Sequence, residues 1–181
     1  MPAEILLKFM RVSQLQIDEY APYYNAYLPN VDDTWTLVEG LEVSVHEFIK
    51  FVQDIPMGKH DYRYAEGKWT IKEIIQHLID VERVFSYRAM RFSRGDSTEL
   101  VGFDENSYVD NAHANDRSLQ SLLTEMSALR HATLLLFKSF TQDDLVKRGV
   151  ASGHIVTVRA LGFLIIAHQK HHTKIFQERY L

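Results

Sequence analysis

Apolar residues recur at helical spacing in four long segments of the chain. In the clearest of these segments the apolar positions return every three or four residues: Ile74, Leu78, Val81, Phe85 and Phe92. The pattern predicts four long helices, over about 36–52, 70–95, 118–140 and 157–180. Each helix has one apolar face to bury, and packing the four faces together is the economical arrangement. The pattern therefore predicts an all-α four-helix bundle.

The starts of the predicted helices carry N-cap residues. Thr36 is followed three residues later by Glu39, and Thr70 is followed three residues later by Glu73. This spacing predicts capping boxes, in which the two side chains satisfy free backbone N–H groups of the first turn. The third helix has two N-cap candidates, Asp116 and Ser118.

The segments outside the helices differ in length and character. Residues 1–35 are predicted to form an N-terminal arm packed on the bundle, with extended or short-helical structure in its tyrosine-rich part. Residues 95–117 form a connection of a length that is typical of a crossover or an active-site lid. Residues 146–155, which include two glycines, are either a small hairpin or a loop. We expect residues 1–181 to form a single domain.

Composition and charge narrow the functional classes. Hydrophobic residues make up 46% of the 181 residues, which is enough for a substantial core. The formal net charge of −4 argues against a nucleic-acid-binding protein, because such proteins are normally basic. The absence of cysteine excludes disulfides, thiolate nucleophiles and cysteine-type zinc sites.

The apolar runs of the chain are short. The run near the N-terminus is interrupted by Lys8 and Arg11, and the run over 160–167 is far shorter than the roughly 20 residues of a membrane span. We therefore expect no signal peptide, no membrane association and a cytoplasmic location.

Three histidines fall on apolar faces of two predicted helices. His168 and His172 are four residues apart and share one face of the last helix, while His77 lies at the inner edge of the second helix. An i, i+4 pair and a third imidazole can hold a divalent ion with a coordination position left open. The alternative is a set of buried histidines that hydrogen-bond to their neighbours. The helical wheel alone does not choose between His171 and His172.

Charged residues on the second helix suggest further roles. Asp80 lies one turn after His77 and is a candidate to accept its free ring N–H. Arg88 shares a face with His77 and is a candidate anchor for an anionic substrate or a partner for a buried carboxylate. Arg130 of the third helix is a second candidate of this kind. The other charges of the second helix, Glu82 among them, are interpreted as a solvated face.

Two segments resemble a known family: KWTIKEIIQHLIDVERVFSYRAMRFSRGD and VRALGFLIIAHQKHHTKIFQERYL. From about residue 35 onward the chain resembles the DinB-like (DinB/YfiT) superfamily of metal-binding four-helix bundles. The resemblance implies an up–up–down–down bundle with a long crossover between its second and third helices. It also implies metal ligands at His77, His168 and His172, so that His172 is preferred over the neighbouring histidine. The implied ion is nickel or zinc, and iron or manganese would also suit three imidazoles.

The characterised branches of this superfamily include thiol S-transferases that use bacillithiol or mycothiol, and a maleylpyruvate isomerase. Our first hypothesis is therefore a metal-dependent enzyme with thiol S-transferase or hydrolase chemistry. Its substrate would be a small molecule, its cosubstrate a low-molecular-weight thiol, and its assembly a homodimer. A second hypothesis is a stress-related metal- or ligand-binding bundle without turnover, which a fourth protein ligand such as Asp80 or His171 would favour. A third is a metal-free bundle that dimerises through an apolar face.

Overall fold

The computed structural model describes residues 10–181, so the first nine residues of the predicted arm lie outside the described part. The long helices are α1 Leu37–Gln53, α2 Ile71–Ser93, α4 Leu119–Lys138 and α6 Val158–Ile175, the last continuing into a π-helical turn over Phe176–Tyr180. The shorter elements are α3 Glu105–Asn111, α5 Gln142–Leu145, and a hairpin of β1 Arg148–Ala151 and β2 His154–Thr157. No helix among the described residues is long and apolar enough to cross a membrane.

The helices begin at the capping residues that the sequence predicts. The Thr36 hydroxyl accepts the N–H of Glu39, and the Glu39 carboxylate accepts the N–H of Thr36. Thr70 and Glu73 make the same reciprocal pair at the start of α2. Ser118 caps α4. Both predicted capping boxes are therefore confirmed, and each fixes the first turn of a long helix.

Two apolar clusters of the core show the direction in which each helix runs. One cluster holds the beginning of α1 and α6 together with the end of α2 and α4, and the other cluster holds the opposite ends. The all-α four-helix bundle is thus confirmed, but the helix order is up–down–down–up instead of up–up–down–down. The reason lies in the connections, because residues 54–70 turn back at one end of the bundle whereas residues 95–117 traverse its length.

The crossover, residues 95–117, is fixed to the bundle at both ends. Near its start, the Leu100 carbonyl accepts the N–H of Ser152 in the hairpin at 2.9 Å. Near its end, Asn115 accepts a hydrogen bond of 2.7 Å from the Thr70 hydroxyl at the start of α2. The predicted crossover is confirmed, and the segment that the sequence left open between hairpin and loop is a hairpin.

The described part of the arm crosses the bundle in short 3₁₀ turns. Glu19 fixes it, since its buried carboxylate accepts hydrogen bonds of 2.7 Å from the Thr157 hydroxyl and from Nε of Arg159. Farther along, Tyr24 and Tyr27 pack on the apolar cluster that holds the beginning of α1 and α6. The arm therefore lies against the beginning of α6 and leads along that helix.

A polar layer separates the two apolar clusters. Arg130 is 1% exposed and donates to both carboxylate oxygens of Glu82, at 2.8 and 2.9 Å. It also donates to the Ser44 hydroxyl and to the side-chain carbonyl of Gln169, so one side chain joins all four long helices. The interpretation of Glu82 as part of a solvated face is wrong, because that face of α2 is turned toward α4.

Candidate metal centre

The histidines singled out in the sequence lie at the level of this polar layer. His77 projects from α2, and His168 and His172 project from α6, which packs alongside α2. His77 and His172 are buried and His168 is partly buried. We call these three residues the histidine centre.

The Nε2 atoms of the histidine centre converge on one point. The Nε2 atom of His168 lies 3.1 Å from that of His77 and 3.1 Å from that of His172. The potential ligand atoms all lie within 4.8 Å of one another. Two nitrogens bound to one zinc ion at about 2.0–2.1 Å, with a near-tetrahedral angle, are roughly 3.3 Å apart. The two separations that involve His168 therefore match those of nitrogens bound to a common ion.

Hydrogen bonds alone cannot satisfy these nitrogens. A neutral imidazole nitrogen carries either one N–H or one in-plane lone pair, so it can form one good hydrogen bond. The Nε2 atom of His168 faces two other Nε2 atoms at hydrogen-bond distance, and one of the three must remain unpaired. An unpaired buried polar atom costs about 1–3 kcal/mol. A divalent cation at this point would pair with all three nitrogens, so the residues fit a metal ion.

The protonation state of the centre agrees with that role. Burial lowers the pKa of His77 to about 4. Burial, followed by the neighbouring imidazoles, holds the pKa of His168 and of His172 well below the usual range. All three rings are therefore neutral near pH 7, and each has the free lone pair that a metal ligand requires.

His171 does not take part in the centre. Its ring packs on Tyr27 of the arm, with 4.2 Å between the ring centroids. Within residues 10–181, the group of side chains able to share an ion at this point consists of His77, His168 and His172. The geometry thus joins His172, and not its neighbour, to the other two. The other five histidines also lie outside the group: His46, His60, His113, His131 and His154.

Asp80 does not have the position that the sequence suggested. Its carboxylate accepts hydrogen bonds from Nε2 of Gln76 at 3.0 Å and from Arg83 at 3.4 Å, and makes none to His77. Burial raises its pKa. The one-turn spacing put Asp80 near His77 in sequence, but the side chain turns toward the outer side of α2.

Arg88 also lies away from the centre. It follows His77 by eleven residues, which is roughly 16 Å along a helix axis. Its Nη2 atom donates to the Val101 carbonyl at 3.1 Å and to the Ser152 hydroxyl at 3.0 Å. The helical wheel placed Arg88 correctly in angle but took no account of this axial distance. Arg88 is therefore not an anchor beside a bound ion.

A cavity of about 210 Å³ lies next to His172, which is the residue of the histidine centre that lines it. Its lining combines aromatic and apolar side chains, Tyr64, Trp69, Ile175 and Tyr180, with the polar side chains of Lys68 and Asn106. The Trp69 ring also lies against His77, with 4.8 Å between the ring centroids. A ligand in this cavity would be in contact with Trp69, Tyr180 and His172.

The sequence interpretation overlooked Trp69. The residue directly precedes the N-cap of α2, and Ile74 stands four residues after the cap. Both side chains line the same cavity, as expected for the apolar pair that often flanks a helix start. That local signal was present in the sequence, although nothing in it linked the pair to the histidines.

Comparison with known proteins identifies the family. The model of the DinB superfamily matches residues 41–176, which is most of the chain and contains all three histidines of the centre. The chain belongs to the DinB superfamily.

Two relatives extend the comparison. A protein of Geobacillus thermodenitrificans, named as a candidate metal-dependent hydrolase, is 23% identical over 142 residues, covering 71% of this chain and 80% of the relative. YfiT from Bacillus subtilis, described as a probable metal-dependent hydrolase with an unusual four-helix bundle topology, superposes with a TM-score of 0.72 at 18% identity. The match covers 90% of this chain and 92% of YfiT, and it shows that the two proteins share the DinB fold.

Proposed function

We propose that this DinB-superfamily protein is a metal-dependent enzyme whose divalent ion is held by His77, His168 and His172. The observation that carries the proposal is the convergence of three neutral Nε2 atoms that protons alone cannot pair. Three protein ligands leave positions for water or substrate, as in catalytic sites, whereas four are typical of structural sites. Neither Asp80 nor His171 is oriented to supply a fourth ligand.

The proposed chemistry divides between the ion and the protein. When bound, a divalent ion lowers the pKa of a water or thiol in its open position and so supplies a nucleophile near neutral pH. The histidine centre holds the ion, and Trp69 and Tyr180 form apolar walls that would hold the carbon part of a substrate. Asn106 brings the crossover to the same cavity, which supports its proposed role as a lid.

Hydrolysis is the first reaction that we propose, because both relatives are named as metal-dependent hydrolases. Transfer of a low-molecular-weight thiol to a small electrophile is the second. The cavity beside His172 supports either reaction, since its volume and aromatic walls suit a small organic molecule. Nickel and zinc are the ions that we propose first, and iron or manganese would accept the same imidazoles.

A metal-binding role without turnover is the alternative, and the burial of His77 and His172 favours it. The two roles differ in activity. Metal-loaded protein should hydrolyse members of an ester and amide panel, or consume a thiol with an electrophile panel, and chelator-stripped protein should not. Bound metal without activity in either panel would support the non-catalytic role.

The homodimer stays a prediction, which light scattering of the purified protein tests.

The metal site itself is tested by elemental analysis of protein purified without a polyhistidine tag. We expect close to one divalent ion per chain. The substitution His168→Ala removes the nitrogen that faces both other ligands, and we expect it to reduce the bound metal at least about tenfold.

His171→Ala is the matched control, because it removes an imidazole next to the centre that does not face the other three nitrogens. We expect this variant to keep its metal. Circular dichroism confirms that each variant is folded. Metal content that is equal in wild type and His168→Ala would overturn the proposed site.

A further inference from the structure

Arg88 is a buried cation without an anionic partner among residues 10–181. Its exposed fraction is 6%, and its two hydrogen-bond acceptors, the Val101 carbonyl and the Ser152 hydroxyl, are both neutral. The guanidinium also lies over the Phe103 ring, 6.0 Å from its centroid. Burial lowers the pKa of Arg88, which reflects the cost of a charge that the surrounding protein does not balance.

Arg130, which is also buried, and Arg159, which is partly buried, are both neutralised. Arg130 pairs with the carboxylate of Glu82, and Arg159 pairs with the carboxylate of Glu19. Buried charges are normally paired in this way, because an unpaired one is strongly destabilising. An unpaired buried guanidinium in a cleft is therefore a candidate binding site.

Arg88 faces a cavity of about 140 Å³ between the arm, the hairpin and α6. Its lining combines Arg88 and polar residues such as Tyr24 and Ser152 with the apolar residues Phe85, Leu161 and Leu164. This composition suits a ligand that has a charged end and a short hydrocarbon end.

The guanidinium has capacity left for such a ligand. Its Nη2 atom uses its two protons on Val101 and Ser152, whereas Nε and Nη1 make no hydrogen bond within the described residues. Those two nitrogens are not sealed inside the protein. Glu105 acts electrostatically on Tyr24 nearby but forms no ion pair with Arg88.

We propose that this cavity binds a small monocarboxylate, with Arg88 pairing the carboxylate and the apolar side holding a short carbon chain. One guanidinium supplies one positive charge, which balances a monoanion and leaves half of a phosphate dianion unbalanced. The apolar wall of Phe85, Leu161 and Leu164 favours an organic acid over an inorganic anion.

The carboxylate site is separate from the histidine centre. Among residues 10–181, none lines both this cavity and the one beside His172. On α6, Leu164 precedes His168 by one turn, while on α2 Arg88 follows His77 by roughly 16 Å. Binding of a carboxylate by Arg88 requires no ion, so this proposal does not rest on the proposed enzymatic function.

The experiment is calorimetric titration of the full chain with butyrate and with butyramide at constant ionic strength. Butyramide has nearly the same shape but no charge, so it reports what the hydrocarbon part contributes alone. We expect butyrate to bind with one site per chain and butyramide to bind at least about tenfold more weakly. Equal affinities for the two, or no heat of binding with butyrate up to tens of millimolar, would overturn the proposal.

Variants locate the site within the chain. Arg88→Gln should weaken butyrate binding at least about tenfold. Arg91→Gln should leave it unchanged, because Arg91, one turn after Arg88 on α2, already pairs with Asp96. His168→Ala should also keep butyrate binding, which separates this proposal from the metal site. Retention of full affinity in a folded Arg88→Gln variant would refute it, and if that variant does not fold, the comparison of butyrate with butyramide decides.

Discussion

At the scale of single residues, the three rings of the histidine centre have different surroundings. His77 lies against Trp69, and His168 lies 6.2 Å from the Tyr27 ring, measured between centroids. The Nδ1 atom of His172 is buried and has no hydrogen-bond partner within the described residues. Ring orientation in this centre therefore depends on aromatic packing more than on hydrogen bonds to carboxylates, which are the common partners of metal-binding histidines.

The lowered histidine pKa values predict how the metal-free protein responds to acid. Unfolded His77 titrates near 6.5 and folded His77 near 4, so between these values the unfolded state binds more protons. The stability that the neutral His77 ring contributes should therefore be complete above pH 6.5, and the free energy of unfolding should fall as the pH drops toward 4. The slope is at most about 1.4 kcal/mol per pH unit for each imidazole.

Urea unfolding with a chelator present, at pH 7.5 and at pH 5.0, measures this effect. The variant His77→Leu removes one titrating group and should show a smaller difference between the two pH values. A free energy of unfolding that is the same at both pH values in wild type would contradict the burial of neutral imidazoles.

The positions of the site residues could be predicted only in part from the sequence. The apolar faces identified His77 and His168, because helical periodicity fixes the angle of a side chain around its axis, and the family resemblance preferred His172 over His171. Periodicity does not give the distance along a neighbouring helix or the rotamer. For this reason Asp80 and Arg88 were placed near the centre when their side chains lie elsewhere.

At the scale of secondary-structure elements, the helices were predicted within one or two residues at most ends. Their N-caps are local signals that depend on residues three apart, such as Thr70 and Glu73. The helix α3 inside the crossover was not predicted, because its seven residues have little apolar periodicity and Val109 is the only one of them that is buried. The prediction that residues 95–117 form a crossover is confirmed. The helix inside it was missed because that helix depends on packing against α2.

The contact between the hairpin and α2 predicts a steric effect. A Cβ atom added at Gly149 would lie 2.1 Å from Cε1 of Phe92, and Phe92 is itself buried in the core. We expect Gly149→Ala to lower the free energy of unfolding by about 1–3 kcal/mol, the usual cost of overpacking. Chemical denaturation measures the change.

Gly58→Ala is the matched control for this substitution. In the described part of the chain, no heavy atom lies within 4 Å of a Cβ added there. The substitution should leave stability unchanged or raise it slightly, since alanine restricts the unfolded chain more than glycine does. Equal stability of the two variants would mean that the hairpin does not pack on Phe92 as closely as described.

At the scale of the whole molecule, the polar layer holds the four helices in register beside the histidine centre. Arg130 contacts Glu82, Ser44 and Gln169, and Gln169 stands next to His168 on α6. The sequence offered Arg130 as a partner for a buried carboxylate, which is confirmed, but it did not indicate Glu82 as that carboxylate, because a charged residue on an amphipathic helix looks solvated until its partner on another helix is known. The predicted helix order, up–up–down–down, was wrong for a related reason, because the order depends on which end of the bundle each connection reaches.

The buried ion pair predicts a strong and non-additive effect on stability. Arg130→Met leaves the Glu82 carboxylate buried without a counter-charge, and we expect a loss of about 3–5 kcal/mol in the free energy of unfolding. The double variant Glu82→Leu with Arg130→Met removes both charges and should lose much less. Urea unfolding of the two single variants and the double variant tests this, and additive losses would contradict the pairing.

The docking of the arm can be linked to ion binding at the histidine centre. Tyr27 rests on His171 and beside His168, on the helix that carries two of the three converging nitrogens. Thermodynamic linkage is reciprocal, so whatever factor the docked arm adds to ion affinity, the ion adds to the docking of the arm. If the factor differs from one, loading the centre with an ion would change the rate at which a protease cuts the arm.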